Sequence, residues 1–323
     1  MKSGKFEDSF LTEHIFNKIT HKRSEVLQGS GTGIDSAVLD LEGDLLVVTT
    51  DPVTAAAANM GRLCVHICCN DIAAEGAEPV AIFVTMLVPL DADVEDIQTV
   101  IEDLHAACAE TNIQLAGGHT EKTEAVRRII LSATAIGRKT EKNRQAVKPG
   151  DVLIMTKGAA YEGSSIIVSD FREKISSIAE ESQIAFLKSL LEQISVLPES
   201  RIAVKCGAKR MHDITEGGVL GAAWEISRAA GCNVEVWCDE IFIHPETALI
   251  CDSLGLDPLR LISSGSLLIA CAAEDAAKTI QKLDEAGIRA RQIGVFTTEK
   301  SSYVQKGIKQ ILDEPAEDEI YKL

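Results

Sequence analysis

Residues 60–79 read MGRLCVHICCNDIAAEGAEP. Met60, Cys64 and Ile67 recur at helical spacing, which predicts a helix over residues 60–74 with one apolar stripe. Asp71 continues that stripe at the next step of four. Its carboxylate therefore points inward, in the half of the helix where the dipole does not favour an anion. Burying it unpaired would cost several kcal/mol, so it needs a cation. Two readings stay open: a metal or substrate site, or a buried structural pair with a base such as Arg62.

Outward from this helix the pattern alternates strands and helices. Residues 37–39 and 45–50 read as strands, 79–88 as a β-rich apolar run, and 113–116 and 129–136 as further strands. Ile97, Ile101, Leu104 and Cys108 mark an amphipathic helix over 94–110. Residues 9–20 suggest a helix at the N-terminus. The segment Val147-Lys148-Pro149-Gly150-Asp151 reads as a turn and places a boundary there, giving domains 1–148 and 149–323. Beyond it come a strand over 152–155, a long helical stretch over about 173–196 ending before Pro198, and a helix over 219–230 opened by Gly217-Gly218. A strand, a helix and a strand follow over 266–271, 274–286 and 288–295. A strand–helix–strand unit thus occurs in both halves, which predicts an α+β chain of two domains with helices on mixed sheets.

With 32 Lys and Arg against 49 Asp and Glu, the net charge is −17. Such a surface repels phosphate backbones and argues against a nucleic-acid partner. A nucleotide ligand would need a divalent cation beside it. No apolar run is long enough to span a bilayer and no signal peptide is evident. The nine cysteines are odd in number and contain no CxxC pair, which fits a reducing cytoplasm. Cys64, Cys68 and Cys69 read as small core residues rather than as a metal cluster.

Several further residues are candidates for chemistry. Asp51 ends the strand 45–50 and precedes Pro52, where it is either a working carboxylate or a turn former. Asp35 follows the loop Gly29-Ser30-Gly31-Thr32-Gly33, whose glycines Gly31 and Gly33 would let backbone approach phosphates. That loop is no P-loop, and it leads into a strand rather than a helix, which argues against a dinucleotide fingerprint. Gly117-Gly118-His119-Thr120-Glu121 ends a strand, with His119 and Glu121 a possible ligand pair. His212-Asp213-Ile214-Thr215-Glu216-Gly217-Gly218 precedes a helix, whose first amides would attract an anion, with Thr215 available as an N-cap.

Taken in order, these segments resemble a known family. Gly31-Thr32-Gly33-Ile34-Asp35-Ser36-Ala37-Val38 is similar to the G-x-G-[DE]-D-A-A-V opening of AIR-synthase-like proteins, and Thr49-Thr50-Asp51-Pro52 to their next motif. Asn70 to Pro79 resembles N-D-[ILV]-x-x-x-G-A-x-P, and residues 212–218 resemble the D-x-T-x-G-G of the second domain. The superfamily includes aminoimidazole ribonucleotide synthase, thiamine-monophosphate kinase, selenophosphate synthetase and the hydrogenase-maturation proteins of HypE type.

The resemblance implies an ATP-dependent enzyme built as a homodimer through its first domains. It implies Mg2+ held by Asp35, Asp51 and Asp71 with Glu121, and ATP near Gly31, Gly33, Asn70, Gly117, Gly118 and Thr120. Thr215 and Gly217 would join the cofactor contacts, and Asp213 and His119 would serve catalysis on a small acceptor. Three departures stand out. Ile34 and His119 occupy positions where many relatives carry an acid. HypE-type proteins end in a cysteine that accepts a carbamoyl group, whereas the last cysteine of this sequence is Cys271. The alternatives are a small-molecule kinase and a nucleotide-binding regulator without turnover.

Overall fold

The computed structural model describes residues 8–14, 17, 26–28, 31–34, 36–40, 43, 45–53, 59–140 and 145–323. Asp35 lies outside the described residues, as do Gly29, Ser30 and most of 15–25. Among the described residues no helix is long and apolar enough to cross a membrane. The chain forms two compact units. The first comprises residues 24–29 and 35–142, and the second 1–23, 30–34 and 143–323.

Helix α1 (Asp8–His14) belongs to the second unit. The first unit then runs β1 (Val26–Gln28), β2 (Ala37–Asp40), β3 (Leu45–Val53), α2 (Met60–Ala74), β4 (Glu78–Val88), α3 (Val94–Thr111), β5 (Gln114–Lys122) and β6 (Ile130–Lys139). Its sheet has the order β1-β2-β3-β6-β4-β5. Only the β4–β5 pair is parallel, because α3 carries the chain back between them. Helix α2 packs on β3, β4 and β6 and crosses α3. The crossing is close because residue 61 is glycine: a Cβ there would lie 2.4 Å from the Val100 carbonyl oxygen. Covered by sheet and helix together, α2 leaves only Arg62 and Ile67 partly exposed. The single stripe expected from the sequence is thus too narrow: this is an almost wholly buried helix.

The second unit continues with β7 (Val152–Thr156), α4 (Tyr161–Asp170), α5 (Arg172–Ile175), α6 (Glu181–Ser189), α7 (Leu197–Lys205), β8 (Arg210–Asp213), α8 (Gly218–Ala230), β9 (Asn233–Trp237), α9 (Pro245–Leu254), β10 (Leu267–Cys271), α10 (Ala273–Glu285), β11 (Ala290–Thr297), β12 (Ser302–Gln305) and β13 (Ile308–Ile311). The sheet order is β13-β12-β9-β11-β7-β10-β8. Strands β10 and β11 are each antiparallel to β7 and flank it, so they are parallel to each other. The expected strand–helix–strand units are present in both sheets, adjacent in the first and split by β7 in the second. Every residue of β7 and β10 is buried.

The expected long helix over 173–196 is broken into pieces. Helix α6 has its own start, a capping box between Glu180 and Gln183, and Leu190–Gln193 is a short 3-10 turn. Pro198 sits in the first turn of α7, where its missing N–H costs nothing, so it opens a helix instead of ending one. The turn at 147–151 is anchored rather than free: Asp151 accepts from the Lys148 amide at 2.8 Å and is buried against Lys209.

Candidate functional site

In the first unit the alternation of β3 places Thr49, Asp51 and Val53 on one face, the face toward α2. Asp71, on α2, is 3% exposed. The Thr49 hydroxyl donates to its Oδ2 at 2.6 Å. Asn70 beside it is wholly buried. Arg62, the alternative partner, pairs with Glu110 at 2.7 Å, next to His66.

Cys68, three residues before Asp71 on α2, is near enough to both aspartates to feel their charges. Its Sγ approaches the carbonyl oxygen of Ala133, the residue paired with Asp51, at 4.0 Å. Burial first, then the Asp71 and Asp51 charges among its neighbours, push its thiol well above the ordinary range. The oxygen groups on this face are the Asp51 and Asp71 carboxylates and the Thr49 hydroxyl. That fits Mg2+, which takes one or two carboxylates and fills its other positions with water and phosphate. Among the described residues no group of three or more His, Cys, Asp or Glu is placed to hold a metal unaided.

The motif 117–121 forms the second half of β5 at the sheet edge. Gly118 has φ 144, and a Cβ there would lie 1.9 Å from the Val84 carbonyl oxygen, so glycine is required by the close β4–β5 approach. His119 Nε2 and Glu121 Oε2 are 3.1 Å apart and both exposed. Gly117, Gly118, His119 and Thr120 line an open groove of about 430 Å³ together with Ile101 and Leu104 of α3. The register aligns Asp51, Ala133, Val84 and Gly118 in one row. Three strand spacings, about 14 Å, separate the ends of that row, so Asp51 and Glu121 do not share one ion.

In the second unit, β7 and β8 are both antiparallel to β10, so they run parallel. Their carboxyl ends and the start of β10 meet at one edge of the sheet. Three loops gather there: 157–160 before α4, 214–217 before α8, and 262–266 before β10. The Ser263 amide donates to Thr215 O at 3.3 Å and the Ile214 amide to Ser266 O at 2.9 Å. The Ala160 amide donates to Ser263 Oγ at 2.7 Å. Asp213 ends β8 and is 1% exposed.

Thr215 does not cap α8, contrary to the expectation from its position. The N-cap is Gly217, with φ 87, and no side chain caps it locally. Its amide is taken at 2.7 Å by Asp318 Oδ2, a residue 101 positions later. The N-cap amide of α8 is thus filled by a carboxylate of the chain itself, which is what a helix N-terminus favours, while the Gly218 amide donates to Thr215 O. Glu162, in the first turn of α4, is buried beside Ser264; burial, reinforced by the charges of Asp318 and Glu216, raises its carboxyl to about 7. Gly31 and Gly33 also belong to this unit: Gly33 has φ 68, and a Cβ there would lie 2.3 Å from the Glu225 carbonyl oxygen of α8. Lys157, Glu162, Glu199 and Asp318 escaped the sequence reading. A lone base or acid beside glycine or proline carries no periodic signal, although Lys157 directly after a mainly apolar strand was a hint.

The model of the AIR synthase related protein N-terminal domain matches residues 33–139, and that of the C-terminal domain matches residues 148–307. The chain belongs to the AIR synthase related family. Its matched segments carry the Asn70–Pro79 and 212–218 motifs in the family's order. One relative, from Methanocaldococcus jannaschii, bears the name hydrogenase expression/formation protein and is 28% identical over 302 residues, covering 88% of this chain and 87% of its own. Carbamoyl dehydratase HypE of Escherichia coli is 26% identical over 297 residues, covering 87% and 85%. A solved structure of hydrogenase maturation protein HypE in complex with ATP matches with a TM-score of 0.74 at 19% identity, covering 98% of this chain and 97% of that one. At that identity the likeness establishes the two-domain α+β fold.

Proposed function

We propose that the protein is an ATP-dependent enzyme that activates a small acceptor at an oxygen, with Mg2+·ATP held by the first unit. The observation that carries this reading is the buried Asp71 carboxylate, oriented by the Thr49 hydroxyl at 2.6 Å and sharing its face of the fold with Asp51. Asp51 and Asp71 would hold the metal, joined by Asp35, and Gly117, Gly118 and Thr120 would offer backbone to the nucleotide. When bound, Mg2+·ATP supplies a charge-neutralised phosphoryl group. The protein's own residues do the remaining work. Thr49 fixes the carboxylate of Asp71, and the loop edge around Asp213, Thr215 and Gly217 shapes the acceptor site. The carbamoyl dehydratase name of one relative and the ATP complex of another support an acceptor of carboxamide type.

The outer face of the first sheet supports a homodimer. Phe83 of β4 is 40% exposed there, an apolar group that a second copy would cover.

Calorimetric titration of ATP with and without Mg2+ tests the reading, in the native protein and in Asp71→Asn. Mg2+-dependent binding is expected, weakened about 10-fold or more in the variant, since a buried carboxylate ligand of the metal is removed. Unchanged affinity in a folded Asp71→Asn protein refutes the site. Release of ADP and phosphate with a carboxamide acceptor supports the dehydrating class, whereas transfer of labelled γ-phosphate to a small molecule indicates a kinase. Binding without turnover under every mixture indicates a regulator, the reading that Ile34 and His119 favour.

A further inference from the structure

The residue that follows the first strand of the second unit is a largely buried lysine in a left-handed conformation. Lys157 has φ 54, which a residue with a side chain adopts at a cost and glycine adopts freely. What the side chain does there offsets that cost. Its Nζ donates to the carbonyl oxygens of Gln193 at 2.8 Å, Ser195 at 2.7 Å and Gly265 at 2.9 Å. It also pairs with Glu199 at 2.5 Å, and Glu199 is wholly buried. Three carbonyl acceptors need three N–H donors, and only the ammonium form has three. Burial pushes the ammonium down and the Glu199 carboxyl up, and each charge opposes the shift of the other.

The Gly265 carbonyl is the informative contact. Gly265 has φ 114 and lies in the turn 263–266, which is bonded on its other side to the 214–217 loop by two backbone hydrogen bonds, Ser263 N to Thr215 O and Ile214 N to Ser266 O. Ala160, in the first of the three loops, is also left-handed. A residue with a side chain persists in that conformation only where the surroundings over-determine it. We propose that Lys157, with Glu199 as its counter-charge, is a positioning residue that holds the turn 263–266 against the Thr215–Gly217 loop and so sets the shape of the acceptor site. The proposal rests on the ATP-dependent reading above, and its first test does not depend on that reading.

The double variant Lys157→Gly/Glu199→Gln removes the ammonium without stranding a buried charge and leaves residue 157 free to keep its φ. Hydrogen–deuterium exchange of the full-length protein is the first readout. Exchange at the Ile214 and Ser263 amides should accelerate about 10-fold or more, the size of one charged hydrogen bond, with no matching change in β9 and β11. The second readout is turnover. ATP binding should keep its Mg2+ dependence, which Asp51 and Asp71 carry, while ADP release slows about 10-fold, because the loop with Thr215 and Gly217 is misplaced. Lys157→Arg, which keeps a cation and donors, should recover protection at Ile214. Unchanged exchange at Ile214 and Ser263 overturns the proposal, and so does an acceleration spread evenly over the second unit. If the double variant does not fold, Glu199→Gln alone is judged by the same amides. If native protein binds no ATP, the enzyme reading falls, and the exchange data still decide whether Lys157 positions the loops.

Discussion

Replacing Lys209 with methionine should destabilise the second unit strongly. Lys209 Nζ contacts both carboxylate oxygens of Asp151 at 2.8 Å, and the two side chains are 5% and 2% exposed. The pair ties the start of β7 to the start of β8 across β10, since the Lys209 amide also donates to Ala270 O. Two unit charges at that separation attract by about 6 kcal/mol at an effective dielectric of about 20. Part of that is offset by the desolvation that burial imposed. Methionine retains the apolar stem but removes the cation, while the Lys148 amide still donates to Asp151 at 2.8 Å. Stranding one member of a buried pair costs about 3–5 kcal/mol. For a unit of this size that corresponds to a fall in Tm of about 6–20 °C. Both tryptophans, Trp224 and Trp237, lie in this unit, so intrinsic fluorescence during urea or thermal unfolding reports it selectively. The double variant Asp151→Leu/Lys209→Met should return to within about 2 kcal/mol of native, because no charge is then left uncompensated. A Lys209→Met protein within about 1 kcal/mol of native would refute the reasoning, as would a double variant no more stable than the single one.

Glu162 gives the unit a pH dependence. Its carboxyl is raised from 4.5 to about 7, chiefly by burial, so the folded protein keeps a proton that the unfolded chain loses in that window. Stability from this group therefore falls as pH rises from about 4.5 to about 7, by about 3 kcal/mol in all, and Glu162→Gln should flatten urea midpoints measured across the window. A pH profile identical to native would show that the carboxyl is not buried as described. At the α2–α3 crossing, Gly61→Ala places a Cβ 2.4 Å from the Val100 oxygen and 2.7 Å from Asp103 Cβ. Overpacking of about 1–3 kcal/mol should exceed the helix-propensity gain of about 1 kcal/mol, and a thermal midpoint at or above native would contradict the crossing.

Much of the fold was legible because it is written in local periodicity. Ile97, Ile101, Leu104 and Cys108 specify α3, and Gly217-Gly218 marks the opening of α8, both as found. The inward aim of Asp71 followed from spacing alone. Features set by contacts distant in sequence were not legible. The 173–196 stretch has helical composition throughout, and only the Glu180–Gln183 box and the placement of Pro198 divide it. Nothing near Gly217 announces that its amide is capped from residue 318, nor does anything near Thr156 announce that the next lysine reaches Gln193, Ser195 and Gly265. The glycine loop at 31–33 reads as part of the first domain by order along the chain, yet Gly33 packs on α8. Such facts depend on loop closure, which no local pattern encodes.

That discontinuity bears on how the protein is made. The first unit is an insertion within the second, whose residues come from both sides of it. A chain leaving the ribosome can complete the first sheet while only the opening segment of the second unit has been synthesised. Strand β7 must then wait for β10 and β11, more than a hundred residues on, and the start of α8 waits a similar span for Asp318. Closures of that span fold slowly and leave apolar edges open meanwhile. The second unit is therefore the part of the chain that most needs protection during synthesis, until the segment around Asp318 has been made.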